Sequence, residues 1–132
     1  MFSFKFAQNE KIGMKDLTRA EEQVMRILWK LDKAFVKEII AEFPDPKPAY
    51  NTVSTIVRIL EEKGFVAHKA YGKSHQYFSA VRKDEYQKYA ADSLMNKYFD
   101  SSHKKLISFF VKEKELSVSD LEDILQSIKN DK

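Results

Sequence analysis

Tyr50, Asn51, Thr52, Ser54, Thr55 and Arg58 crowd one short stretch, AYNTVSTIVRILEEKG. Amide, hydroxyl and guanidinium groups of this kind read base edges in the major groove of a duplex, where a threonine methyl can also touch thymine. Lys69, Lys73 and His75 follow in HKAYGKSHQYFSAV. Phosphate oxygens take such groups, which fix a protein's position without reading sequence. The chemistry expected of the two sets together is recognition of double-stranded DNA. The first set would read bases, and the second would reach the flanking backbone or minor groove. Taken singly, each has a plainer reading, as hydroxyls that solvate a helix start and as lysines on a solvated turn. Their occurrence on consecutive segments favours the joint one.

Charge agrees with that placement. The chain has 132 residues and carries 23 Lys and Arg against 20 Asp and Glu, a formal charge of only +3. Any nucleic-acid surface must therefore be local. From Pro46 to Arg82 there are six basic residues (Lys47, Arg58, Lys63, Lys69, Lys73, Arg82) and two acids (Glu61, Glu62), a local +4 larger than the whole-chain surplus. Lys83 to Lys132 holds nine basic and ten acidic residues, so the positive field stops there.

Enzymatic chemistry finds no support. His68, His75 and His103 are scattered, with no His-Glu-x-x-His spacing, no Gly-x-Ser-x-Gly and no phosphate-binding glycine loop. The absence of cysteine removes thiolate metal sites, disulfides and a cysteine nucleophile. No cofactor, metal ligand or catalytic residue is expected. The acidic pairs Glu21-Glu22, Glu61-Glu62 and Glu122-Asp123 read as solvated helix faces.

The elements that must position the reading groups follow from periodicity. Thr18 stands three residues before Glu21, the spacing of a capping box, and Val24, Ile27, Leu28 and Leu31 follow at helical steps with Met25 and Trp29 widening the stripe. A second short helix is read from Phe35, Val36, Ile39, Ile40 and Phe43, stopped by Pro44 and the Asp45-Pro46-Lys47-Pro48 loop. A third runs from Tyr50 to about Lys63, with Val53, Ile56, Val57 and Leu60 inward and Gly64 as its stop. Aromatic and β-branched residues on either side of Tyr71-Gly72-Lys73-Ser74 predict a β-hairpin. Three helices and a hairpin make a winged helix-turn-helix.

Beyond Arg82 the pattern changes. Tyr86, Tyr89, Ala90, Leu94 and Tyr98 fit one helical stripe, Leu106, Ile107, Phe109, Phe110 and Val111 form a second apolar segment, and Leu121, Ile124, Leu125 and Ile128 a third after a cap at Ser117. Three short helices cannot bury all this alone, and a second copy of the chain is the simplest cover. Leu94, Tyr98, Leu106, Ile107, Phe110, Leu121, Ile124, Leu125 and Ile128 are the expected dimerisation residues; folding back on the winged helix is the alternative.

The expected class is thus mainly α: an N-terminal extension over residues 1–14, in which Phe2, Phe4 and Phe6 alternate as in a short strand, a winged-helix DNA-binding domain over 15–82, and a helical dimerisation region over 83–132. No apolar run reaches the roughly 18 residues of a membrane span, and no signal peptide is read, so a cytoplasmic location is expected.

LTRAEEQVMRILW, AYNTVSTIVRILEEKGFV and HKAYGKSHQYFSAV together resemble the penicillinase-repressor family, bacterial transcriptional repressors of the BlaI/MecI/CopY type, from about Lys15 to about Lys129. The resemblance implies a homodimer on a palindromic operator with TACA/TGTA-like cores, and it places Thr52 and Thr55 at the family's recognition-helix threonines. Two departures stand out: the family arginine usually falls one position later, where Ile59 stands next to Arg58, and Tyr50-Asn51 replaces the Pro-Lys of the penicillinase branch. That branch is relieved when a membrane sensor metallopeptidase leads to cleavage at an Asn-Phe bond. The matching bond here is Phe109-Phe110, without the asparagine. The copper-responsive branch uses a cysteine-rich motif, which this chain lacks. A winged-helix module that docks on proteins, without sequence-specific DNA binding, is the alternative function.

Overall fold

A computed structural model describes residues 16–131. Phe2, Phe4, Phe6 and the rest of the expected extension over residues 1–14 lie outside the described residues.

Helix α1 (Arg19–Leu31) starts where its capping box dictates: the Thr18 hydroxyl accepts the Glu21 N–H at 3.2 Å and the Glu21 carboxylate accepts the Thr18 N–H at 3.0 Å. Its stripe buries Val24, Met25 and Leu28 completely. After Asp32, at φ 74°, the chain forms a two-residue strand β1 (Lys33–Ala34) and helix α2 (Val36–Ala41). Helix α3 (Tyr50–Glu62) turns Val53, Val57 and Leu60 into the same core, which Ile39 of α2 completes. Full burial of each such aliphatic side chain is worth about 1.5–3 kcal/mol.

The end of α3 is set by Gly64. At φ 88° it lets the Gly64 N–H reach the Glu61 carbonyl at 3.0 Å and the Phe65 N–H reach that of Leu60 at 2.9 Å, a Schellman closure with Phe65 and Leu60 both buried. Strands β2 (Val66–Tyr71) and β3 (Ser74–Ser79) then form the expected hairpin, with Gly72 at φ 61° in the first position of its two-residue loop. The sheet has the order β1-β3-β2, all antiparallel. Its third strand is a difference from the expected two-stranded wing: Lys33 and Ala34 pair with Phe78 and Tyr77. Two residues are too few to show an alternating pattern, so β1 leaves no trace in the sequence.

Helix α4 (Lys83–Tyr98) begins in this same unit, which extends to Tyr89 and so past Arg82, where the charge count drew its boundary. Tyr86 is buried beside Trp29 and Phe65, with ring centroids 5.9 and 5.8 Å away. The Trp29 indole N–H donates to the Val81 carbonyl at 2.8 Å and the Ser79 hydroxyl at 3.0 Å, tying α1 to the exit of the wing. The Tyr89 phenol donates to Asp16 at 2.7 Å; burial, and then that carboxylate, push its pKa up to about 12.

The second unit begins at Ala90 and holds the end of α4, helix α5 (His103–Lys112) and helix α6 (Val118–Asn130). Ser102 and Ser117 cap the last two helices through the Lys105 and Asp120 N–H groups. Phe109 packs edge-on to Phe99 at 5.5 Å and to Phe110 at 5.8 Å, and Met95 is buried. Neither α5 nor α6 buries a side chain.

Candidate nucleic-acid interface

Because Val53, Val57 and Leu60 hold one side of α3 in the core, the opposite side projects from the molecule. Asn51, Thr52, Thr55 and Arg58 are exposed there, and the Arg58 guanidinium donates to the Thr55 hydroxyl at 3.3 Å. This bond lays the guanidinium along the same edge as the threonines. The Ala49 cap of α3 offers no side-chain acceptor, in contrast to Thr18, Ser102 and Ser117 at α1, α5 and α6. Unsatisfied N–H groups at a helix start suit an anionic oxygen.

Between α3 and the wing lies a solvent-open cleft of about 790 Å³. Tyr50, Ser54 and Arg58 line it from α3, and Lys73 and His75 from the hairpin, so the structure brings five of the expected residues onto one concavity. Lys69 stands apart from them. It does not line the cleft, and its ammonium lies 5.3 Å over the ring of Tyr71, which does.

The same cleft adds groups that residue type and spacing missed: Lys37 and Phe35 at the start of α2, and Tyr71 and Ser74 on the hairpin. Lys37 lies before the segment in which the basic residues concentrate. The helix-turn-helix pattern itself held the signal, since the first helix of that motif crosses the backbone.

Of the acids expected on solvated faces, Glu21 is buried and Glu61 is only partly solvated. Glu21 is 6% exposed and accepts from the Lys63 ammonium at 2.7 Å. Burial alone would raise its pKa; the Lys63 bond and the Thr18 N–H outweigh that and hold the carboxyl below the usual range. Lys63 is thus spent inside the fold and adds little to the outward field. Lys47 likewise donates to the Phe43 and Ala41 carbonyls at 2.6 and 3.2 Å. The basic surface rests on Lys37, Arg58, Lys69 and Lys73. Glu61 is half-buried and bonded to His68 at 2.8 and 3.0 Å. Burial pushes the neighbouring Tyr77 phenol up, the Glu61 charge adds to this, and Arg58 opposes it.

A family model described as Penicillinase repressor matches residues 17–130, most of the chain. The chain belongs to the penicillinase repressor family. Methicillin resistance regulatory protein MecI of Staphylococcus aureus strain N315 is 30% identical over 118 residues, covering 89% of this chain and 95% of its own length. The Penicillinase repressor of Staphylococcus aureus is 29% identical over 119 residues, with 88% and 92% covered. That of Bacillus licheniformis is 24% identical over 120 residues, with 88% and 94% covered. Penicillinase repressors are DNA-binding winged-helix transcriptional repressors and not enzymes. As expected from the sequence, the fold is mainly helical, with three N-terminal helices, a β-hairpin wing and C-terminal helices.

Among the described residues no helix is long and apolar enough to cross a membrane. In the second unit the residues expected to pair with another copy divide into two groups. Leu106, Phe110 and Leu121 are half-buried, whereas Leu94, Tyr98, Ile107, Ile124, Leu125 and Ile128 are exposed, Tyr98 by 73% and Leu125 by 58%. The Phe109-Phe110 bond lies inside α5, with Phe109 46% exposed.

Proposed function

We propose that this repressor acts as a homodimer on a palindromic operator, with α3 in the major groove. Asn51, Thr52, Thr55 and Arg58 read base edges, while Tyr50, Ser54, Lys69, Lys73 and His75 contact the sugar-phosphate backbone beside them. The observation that carries this reading is the exposed edge of Thr52, Thr55 and Arg58 on a helix whose other side is core, next to a cleft rimmed by Lys37 and Lys73.

What supports the homodimer is the exposed apolar row of α6, Ile124, Leu125 and Ile128, with Leu94, Tyr98 and Ile107 before it. Contiguous exposed apolar surface of this kind marks an interface. A two-fold axis sets two copies of α3 about 34 Å apart, or a multiple of that, which is the geometry a palindrome answers.

Relief of repression by cleavage at Phe109-Phe110, through a membrane sensor metallopeptidase, is the finer part of the proposal. It draws on the family resemblance and on the exposure of Phe109. Because the bond lies within a helix, α5 must open before it can enter a protease as an extended strand. A new terminus at Phe110 on co-expression with such a sensor is the expected sign.

The test of the whole is binding to duplexes selected by the protein from a randomised pool. Affinity should fall by about 10³-fold or more between about 50 and 200 mM salt. Retention of no duplex at low salt overturns the reading in favour of a protein-docking module.

A further inference from the structure

The wing and the recognition helix are joined by a group of three side chains, two of which, Glu61 and His68, the proposed DNA contacts do not use. Glu61 lies in the last turn of α3, His68 in β2 and His75 in β3. The His68 Nδ1–H donates to both Glu61 carboxylate oxygens, at 2.8 and 3.0 Å, and the His68 ring stacks on that of His75 with centroids 4.1 Å apart and planes 8° from parallel. Tyr77, which is buried, closes the group, its ring centroid 5.7 Å from His68 and 6.1 Å from His75. The pairing register explains why they meet. His68 sits opposite Tyr77, and His75, two residues earlier in β3, shares their face.

A carboxylate at this place works against two larger fields. It stands at the C-terminal end of a helix, where the macrodipole disfavours negative charge. It is also one of two acids in the basic stretch that would face phosphate. The imidazole N–H offsets both, and a charge-assisted bond of this kind is directional as well as strong.

We propose that Glu61 and His68 are positioning residues for DNA binding. They lock the wing to the recognition helix through the stack on His75, so that Lys73 and His75 meet the backbone in register with Thr52, Thr55 and Arg58 at the bases. This rests on the DNA-binding role proposed above for α3 and the wing. Glu61 itself touches no DNA. Its contribution is the angle between two elements that are joined besides by the chain at Lys63–Phe65 and by packing.

The lock and a plain charge effect predict opposite signs. Removing an acid from a basic surface tightens binding to any duplex. Removing the lock weakens binding to the selected duplex while leaving binding to random duplexes undiminished. The experiment uses the full chain, the duplex it selects from a randomised pool, and a random-sequence duplex of equal length. E61A should lower affinity for the selected duplex about tenfold, and E61Q, whose amide oxygen still accepts from His68, should recover most of it. Hydrogen exchange on the DNA-free protein should be faster by about tenfold at wing amides from Ala70 to Gln76 in E61A, with α1 unchanged. H75A removes the stack while leaving the Glu61–His68 bond, and should reproduce the exchange change if E61A does not fold. E61A binding the selected duplex as tightly as the parent or tighter overturns the proposal, as does unchanged wing exchange in both E61A and H75A. If the parent chain selects no duplex, it is the DNA-binding reading that has failed, a result distinct from either variant outcome.

Discussion

Lys63, at the end of α3, meets Glu21, in the first turn of α1, at 2.7 Å. The pair fastens α3 to the N-terminus of the helix it packs against, across 42 positions of sequence. Glu21 is also half of the capping box of α1, so one carboxylate serves both the start of one helix and the end of another. Its pKa is held below the ordinary value of 4.5. A group depressed in the folded state stabilises the fold fully above its unfolded pKa and loses that contribution as pH falls through the folded value. E21Q should therefore flatten the acid limb of a stability curve below about pH 4.5, as read by urea melts at several pH values. K63A, which strands a nearly buried carboxylate, should cost about 1–3 kcal/mol at neutral pH. An acid limb unchanged in E21Q would refute the coupling.

The proposed base readers and backbone contacts should separate by the pattern of their losses. T52A and T55A should each relax preference at one position of the operator half-site, at about 1–3 kcal/mol per contact, with the salt slope unchanged. K73A and K37A should weaken all duplexes alike and lower the slope by about one. Quantitative selection from a randomised pool, repeated for each variant, measures both. Uniform losses in T52A and T55A would demote those threonines to positioning contacts.

How much of this site could be read beforehand follows from how local its causes are. The capping box at Thr18, the stop at Gly64 and the hairpin loop at Gly72 are encoded within a few residues, and each lies where its chemistry predicts. The threonine edge of α3 is legible for the same reason, since its exposure follows from the apolar face opposite. Fates decided by distant partners are not legible. Glu21 and Glu61 look alike as members of adjacent acidic pairs, yet one is buried against Lys63 and the other bonded to a wing histidine. Tyr86 fits the C-terminal stripe by period, but its ring belongs to the core with Trp29 and Phe65.

Trp29 offers a stability test away from the interface. Its indole N–H is shared by Val81 and Ser79, at the point where the wing hands the chain to α4. W29F keeps most of the ring packing and deletes the donor. The expected cost is about 1–2 kcal/mol, a fall in melting temperature of about 4–8 °C per kcal/mol for a unit of this size. Affinity for a selected duplex should be unchanged below the melt, because no DNA-facing group moves. A melting temperature equal to the parent's would mean the indole bonds contribute nothing net.

The dimer prediction turns on the difference between the two groups of apolar residues in the second unit. Leu106 and Leu121 are already half-buried in the single chain, so L106A should destabilise it whatever its oligomeric state. Leu125 and Ile128 are 58% and 57% exposed, so a polar replacement there removes little that the single chain needs. If α6 pairs with a second copy, L125E and I128E place charge in a dry interface, where an unpaired carboxylate is strongly disfavoured. Sedimentation equilibrium at micromolar concentration should find the parent as a dimer and both variants as monomers with helix content retained. The loss should carry through to DNA, because a monomer engages one half-site and forfeits the gain of linked binding, about 10²-fold or more. A parent chain that is monomeric at these concentrations would leave the apolar row of α6 without its second copy and remove the reason for a palindromic operator.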